Sequence, residues 1–212
     1  HVRFLGSADQ YPVGSDPRTN LDAIRRMGLD VRPLAIPALA AEIHGGCALI
    51  VDALFGTGLV GAPRPPADAV IAAVNAASTR GVPVLAIDIP SGLMGEDNSG
   101  NIPENIIRAH ATITLQFPKL SLLFPENEQY AGEVFVEEIG LHPEAIQEME
   151  TPYRLSDRDT IYSWFPPRRR FAHKGDFGHA LLIAGSYGKM GAALLASEAC
   201  LKTGAGLVTT HL

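Results

Sequence analysis

Short strand-like runs recur along the chain at 31–34, 48–54, 84–89, 111–115, 133–136, 180–184 and 207–210, with longer amphipathic or Gly/Pro-rich segments between them. Residues 2–6 have the same character. Several of these runs are apolar at successive positions. A strand of that kind must be covered on both faces, as in a parallel sheet flanked by helices. The intervening segments supply the helices. One opens at Asp16-Pro17 and runs to Met27 before Gly28, a second runs from Pro66 to Thr79 before Gly81, and a third from Gly191 to Thr203 before Gly204. Proline near a helix start and glycine just past its end are where each backbone fits best. The alternation predicts an α/β fold with helical crossovers between parallel strands.

The 212 residues suffice for one large domain or two small ones, at roughly 100–200 residues per domain. Hydrophobic residues make up 46% and charged residues 19% of the chain, which places it among globular proteins and not disordered ones. No apolar run approaches the roughly 20 residues that cross a bilayer, so no membrane partner is expected. Lys+Arg of 17 against Asp+Glu of 23 gives a net charge of −6, and the largest basic cluster is Arg168-Arg169-Arg170. That is too little for a surface that tracks phosphates, and nucleic acid is not an expected partner. Cys47 and Cys200 lie far apart, outside any CxxC or Cys/His cluster. They are expected to be buried, reduced thiols of a cytoplasmic protein. The sequence opens on His1 and not on Met, so the natural N-terminus is expected to lie upstream and no targeting segment can be judged.

The texture changes between Leu141 and Arg170, where prolines and charges replace long apolar runs. Residues 141–170 are read as a linker between a first domain at 1–140 and the start of a second at 171–212. Within it, Ser156-Asp157 would cap a short helix reaching Trp164, and Pro166-Pro167 would stop it. The 42 residues of 171–212 are too few for a complete α/β domain. The second unit is therefore expected to be truncated.

Three constellations carry candidate chemistry. In the first, Asp52 stands near the end of an apolar run and is followed by Gly56-Thr57-Gly58-Leu59-Val60-Gly61-Ala62. A carboxylate at that position needs a cation, hydrogen-bond donors or the open crevice at the carboxyl edge of the sheet. The loop matches G-x-G-x-x-G, but Pro63, Pro65 and Pro66 delay the helix that a dinucleotide fingerprint opens at once. A flexible turn without a ligand is the other reading. In the second, Asp88 ends another apolar run and is followed by Ile89-Pro90-Ser91-Gly92. If the two runs are adjacent parallel strands, about 4.8 Å apart, both carboxylates reach one rim. Two such anions demand a proton or a cation between them. The oxygen of Ser91 beside Asp88 suits a hard ion and not zinc, while a turn that bonds only its own backbone is the alternative. Lys119 would line the same crevice or sit solvated. The third constellation joins 173–178 to the glycine-rich 185–191 ahead of a helix. It reads either as a phosphate cradle or as a close helix-to-strand packing turn. Met190 after Lys189 rules out a Walker A loop.

The strings VDALFGTGL, AIDIPSGL, TITLQFPKLSLL and GEVFVEEIG, in that order, resemble the later two-thirds of an NAD(P)H-hydrate epimerase domain. HKGDFGHALLIAGSYGKMGAALLASEACLKTGAGLV resembles the opening of an ADP-dependent NAD(P)H-hydrate dehydratase domain. Together they are similar to the bifunctional NAD(P)H-hydrate repair enzymes. The resemblance implies an incomplete Rossmann-like, three-layer parallel sheet followed by the start of a ribokinase-like α/β domain. It implies potassium ligation by Asp52 and Ser91, contacts from Gly56, Thr57, Gly58, Leu59, Val60, Gly61 and Ala62 to the hydrated nucleotide, and a substrate-binding carboxylate at Asp88. Ala192 matches a substrate contact of the dehydratase. The implied activities are epimerisation of R- and S-NAD(P)HX and ADP- or ATP-driven dehydration of the S form. Asp88, on a rigid strand end, would handle a proton at the hydroxylated carbon and is the candidate catalytic residue.

The family's phosphate loop on its first strand, with a further potassium ligand, has no counterpart before His1, and the catalytic end of the dehydratase has none after Leu212. The chain alone is therefore expected to be inactive or nearly so. A ribokinase-like small-molecule kinase and a noncatalytic nucleotide-binding module are the competing readings. The resemblance leaves a homo-oligomer open.

Overall fold

The structure, a computed structural model, describes residues 2–4, 11–33, 35–44, 46–165 and 167–212. The chain divides into two units, His1–Met149 and Glu150–Leu212. The division falls inside the segment read as a linker.

The first unit contains β1 (Val2–Phe4), α1 (Asp16–Arg26), β2 (Val31–Pro33), α2 (Ile36–His44), β3 (Ile50–Asp52), α3 (Ala67–Thr79), β4 (Val84–Ile87), β5 (Ala111–Leu115), α4 (Glu128–Ala131), β6 (Glu133–Glu137) and α5 (Pro143–Glu148). β3, β4, β5 and β6 form a four-stranded sheet in sequence order, parallel throughout, and β1 and β2 form a separate parallel pair. The register pairs Asp52, the last residue of β3, with Ala86 and Ala86 with Thr112, and because the strands are parallel their carboxyl ends point to the same edge, with β5 running further towards it than β3 or β4.

α3 covers one face of this sheet. Its buried residues Ala67, Val70, Ile71, Val74 and Ala77 recur at helical spacing. Of these, Val70, Ile71 and Val74 meet Val84, Ala86, Ile107 and Ala109 in the main core, with Ile50 and Leu54 at its margin. Asn75 on α3 ties the helix to the chain entering β5: its amide donates to the Ile106 carbonyl at 2.8 Å and its oxygen accepts from the Arg108 N–H at 2.8 Å. β4 alternates buried and half-buried residues, and Val51 on β3 is 54% exposed. Continuous apolar sequence is thus not matched by continuous burial here. A second cluster, Ile89, Leu93, Ile106 and Tyr130, packs beneath the turn that follows β4.

Several strands are shorter than the apolar runs that contain them. The run 84–89 yields a strand only to Ile87, because Asp88 takes φ = 69° and turns the chain. The run 48–54 yields only Ile50–Asp52. α1 ends at Arg26, and Gly28 at φ = 74° donates to the Arg25 carbonyl. Cys47 and Cys200 are free, as expected, but half-buried and not buried; Cys47 lies in the turn before β3, where its thiol donates to the Leu49 carbonyl.

The second unit contains α6 (Arg158–Ser163), β7 (His179–Ile183), α7 (Gly191–Thr203) and β8 (Leu207–His211). Asp157 caps α6 by accepting from the Thr160 N–H at 2.8 Å, and Trp164 closes it. β7 and β8 are parallel and joined through α7. Gly185, at φ = 92°, lies so close to Ala193 of α7 that a Cβ there would stand 3.1 Å from the alanine methyl, the close approach expected of a packing turn. His173 and Asp176 cap the short turn 174–177 by exchanging bonds with the Gly175 and His173 amides. Among the described residues, no helix is long and apolar enough to cross a membrane.

Candidate active site

Asp52 closes β3 and is 3% exposed. Its Oδ2 accepts from the Ser91 N–H at 2.7 Å, and its Oδ1 accepts from the Ser91 hydroxyl at 2.6 Å and the Leu54 N–H at 3.3 Å. Burial pushes its pKa above the usual carboxylate range, and the bonds from Ser91 and Leu54 oppose that rise. The Ser91 hydroxyl also accepts from the Phe55 N–H at 3.0 Å, and the Ser91 carbonyl accepts from the Ile107 N–H. One buried serine therefore joins the end of β3, the start of the glycine loop and the turn after β4. Gly92 makes that turn possible: at φ = 99°, a Cβ on it would collide with the Asn105 carbonyl.

Asp88 sits one residue past β4. The Ile89 N–H donates to the Ile87 carbonyl at 2.9 Å, closing a three-residue turn around the positive φ of Asp88. The neighbouring strand ends alike. Gln116 follows β5 with φ = 65°, and the Phe117 N–H donates to the Leu115 carbonyl at 2.8 Å. A non-glycine residue held in this region costs about 1–3 kcal/mol, and such strain gathers at functional sites. Asp88 Oδ1 accepts from the Leu115 N–H at 3.2 Å and lies 2.5 Å from the Lys119 ammonium. Lys119 is 18% exposed, so the solvated reading of this side chain is replaced by an ion pair in the crevice.

The glycine loop runs exposed above these groups. A Cβ placed on Gly56 would stand 4.0 Å from Asp88 Oδ2. The Leu59 N–H donates to the Gly56 carbonyl and the Gly61 N–H to the Met94 sulfur at 3.3 Å. Among the described residues, the amides of Gly56, Thr57, Gly58, Val60 and Ala62 have no protein acceptor. Free amides on a turn are suited to an anion. The loop is anchored from below, where the Asn105 amide donates to the Pro63 carbonyl at 3.0 Å, and α3 follows at Ala67 and not directly after Gly61.

Asp52, Ser91, the glycine loop and Asp88 thus come together at the carboxyl ends of β3 and β4. The two carboxylates have separate partners: Asp52 is held by neutral donors and Asp88 by an amide and an ammonium. Ala192 lies in the first turn of α7, in the second unit. Gln116 is an addition to the rim, and Lys119 takes the crevice-lining one of its two sequence readings. Their local signal is a polar residue and a lysine either side of Phe117-Pro118, immediately past a strand. Among the described residues, no group of three or more His, Cys, Asp or Glu side chains could hold a metal. An ion at this rim would depend on single carboxylate, hydroxyl and carbonyl oxygens, and Asp52 with Ser91 supplies two of these types.

The fold and the rim define a parallel α/β protein whose polar groups collect at the carboxyl ends of its strands, the edge where such sheets bind ligands. The family model described as YjeF-related protein N-terminus matches residues 1–121, and the chain belongs to that family. It is 41% identical over 161 residues to the bifunctional NAD(P)H-hydrate repair enzyme Nnr of Coxiella burnetii, covering 76% of this chain and 32% of that protein. It is 35% identical over 217 residues to the enzyme of the same name from Moorella thermoacetica, covering 98% of this chain and 39% of that protein. The chain thus spans about a third of the length of these relatives. Its fold is similar to the crystal structure of yeast ynu0, with a TM-score of 0.51 at 18% identity over 70% of this chain and 60% of that one.

Proposed function

We propose that the first unit is an NAD(P)H-hydrate epimerase site, with Asp88 as the catalytic carboxylate and the Gly56–Ala62 loop as the cradle of the nucleotide. The observation that carries this reading is the placement of Asp88. Its Oδ1 is held by Leu115 and Lys119, while its Oδ2 faces the glycine loop and has no hydrogen-bond partner among the described residues. Inversion at a carbon that bears a hydroxyl beside a ring nitrogen needs a group that takes a proton and gives it back. A carboxylate with one oxygen fixed and the other open fits that task. The unpaired amides of the loop would meet the phosphates.

Asp52 and Ser91 would hold a potassium ion. Asp52 is a buried anion whose partners are all neutral, and a monovalent cation would supply the missing charge. Bound there, the ion would brace the start of the loop through Ser91 and Phe55. The second unit, with Ala192 at the entrance of α7, would open a ribokinase-like dehydratase domain that uses ADP or ATP. The Moorella relative, matched over 98% of the chain, supports this over a kinase or a noncatalytic module. The whole protein would act in the cytoplasm on NADHX and NADPHX.

The test is direct. R-NADHX is incubated with a full-length protein containing this chain, and the two epimers are followed by chromatography. Interconversion that disappears in Asp88→Asn supports the reading, and a protein that leaves the epimer ratio at its uncatalysed rate overturns it.

A further inference from the structure

The chemistry proposed for Asp88 requires that its carboxylate be aimed, and the residue aiming it is one to which the family resemblance assigns no role. Lys119 Nζ donates to the Leu115 carbonyl at 2.9 Å and the Phe117 carbonyl at 3.2 Å, and it lies 2.5 Å from Asp88 Oδ1. An ammonium has three N–H donors, and each here has one acceptor. The two carbonyls flank Gln116, the positive-φ residue that ends β5. The Leu115 amide in turn donates to the same Asp88 oxygen. The lysine therefore closes a ring that contains both strained turns and the carboxylate between them.

We propose that Lys119 is a positioning residue for the epimerisation, one that locks Asp88 Oδ1 so that Oδ2 stays aimed at the Gly56 loop; the proposal rests on the epimerase reading. An ordinary surface ion pair contributes little and leaves its partners free to rotate. This pair differs in being mostly covered, at 18% and 19% exposure, and in having all three ammonium donors committed. Removing the amine frees the Asp88 side chain to turn about its own bonds and leaves the Gln116 turn without its brace. The nucleotide-binding amides, which belong to a different loop, are untouched.

The experiment compares Lys119→Met and Lys119→Arg in a full-length protein containing this chain. Epimerisation is measured by steady-state kinetics, and backbone amide exchange is followed residue by residue. Misaiming a reacting group costs on the order of 100-fold in rate, so Lys119→Met should lower kcat by about that factor while KM moves less than threefold. Lys119→Arg, which restores a charged donor, should recover about tenfold of the loss. Exchange at the Leu115 amide should quicken at least about tenfold in the methionine variant while Ile113, in the same strand, is unchanged, which separates a local release from unfolding. A methionine variant with kcat within threefold of the parent overturns the proposal, as does an arginine variant no better than methionine. If the parent protein itself does not epimerise, the functional reading fails, and the exchange rates alone decide whether Lys119 holds Asp88: unaltered exchange at Leu115 overturns that as well.

Discussion

β3 and β4 each deliver an aspartate to the same edge of the sheet, and although both carboxylates accept from backbone amides, they differ in burial and in the charge of their side-chain partners. Asp52 is within the strand, enclosed and bonded only by neutral donors. Asp88 is one residue past its strand, partly open and paired with an ammonium. An enclosed anion with every near neighbour satisfied is a structural anchor and a candidate cation ligand. A partly open one, with one oxygen held and the other without a partner among the described residues, has the placement that acid–base work needs. Residue type and strand-end position are shared, so the division of labour comes from what the next turns bring alongside: Ser91 for one and Lys119 for the other.

The largest effect expected from breaking this contrast is at Asp88. Asp88→Asn keeps the side-chain shape but cannot take up a proton, and it should lower epimerisation by about 10²–10⁴-fold, the range for losing a general acid or base. Folding should change little. Asp52→Ala should do the reverse. It leaves the Ser91 amide, the Ser91 hydroxyl and the Leu54 amide without their acceptor, which costs about 2–3 kcal/mol for buried donors. Urea unfolding would show the loss. It should also abolish any rise in melting temperature caused by potassium, a rise equivalent to about 2.7 kcal/mol when the ion is at 100 times its Kd. Potassium stabilising Asp52→Ala as much as the parent would remove Asp52 from the ligand set.

The same contrast predicts a pH dependence. Burial holds the Asp52 pKa above its ordinary value of 3.8. The folded chain then keeps a proton that the unfolded chain has released, so stability from this group is full at low pH and declines as pH rises from about 4 through the folded pKa. Unfolding midpoints without potassium should show this decline in the parent chain and lack it in Asp52→Asn. Adding potassium should flatten the curve, because the ion offsets the charge that burial penalises.

Much of the architecture was legible because it depends on local pattern. α3 and α7 begin and end within a residue of where proline and glycine punctuate the sequence, and α6 carries the cap that Asp157 announces. α2, by contrast, opens on Ile36-Pro37 after another proline and lacks a Ser, Thr, Asp or Asn start signal, so the helix was not expected. The resemblance implies Asp52 and Ser91 only as ligands of one ion, and the residues alone set the Ser91 oxygen beside Asp88; the structure bonds Ser91 to Asp52 instead, a contact between residues 39 positions apart that no local pattern carries. Lys119 was the hardest to read. A lysine after a strand is ordinarily solvated, and its burial here follows from the γ-like turn at Gln116 folding its chain back toward Asp88. The run 84–89 hides the same event, since its apolar residues continue past the point where the backbone reverses sign.

The smallest expected effect tests how far the rim's contrast extends into the glycine loop. Among the described residues, a single hydrogen bond joins that loop to the 94–101 segment: the Gly61 N–H to the Met94 sulfur at 3.3 Å. Sulfur is a weak acceptor, and Gly61 is exposed, so water can replace it. Met94→Leu keeps nearly the same volume, and such exchanges cost less than about 1.5 kcal/mol. The expected outcome is a change in stability near zero, an unchanged kcat and a KM about twofold higher, since the loop amides would lose one restraint but none of their binding groups. Steady-state kinetics would check it. A KM increase above about tenfold would show that the loop depends on Met94 for its shape, and that the proposed nucleotide cradle is built by the turn after β4 as much as by the glycines themselves.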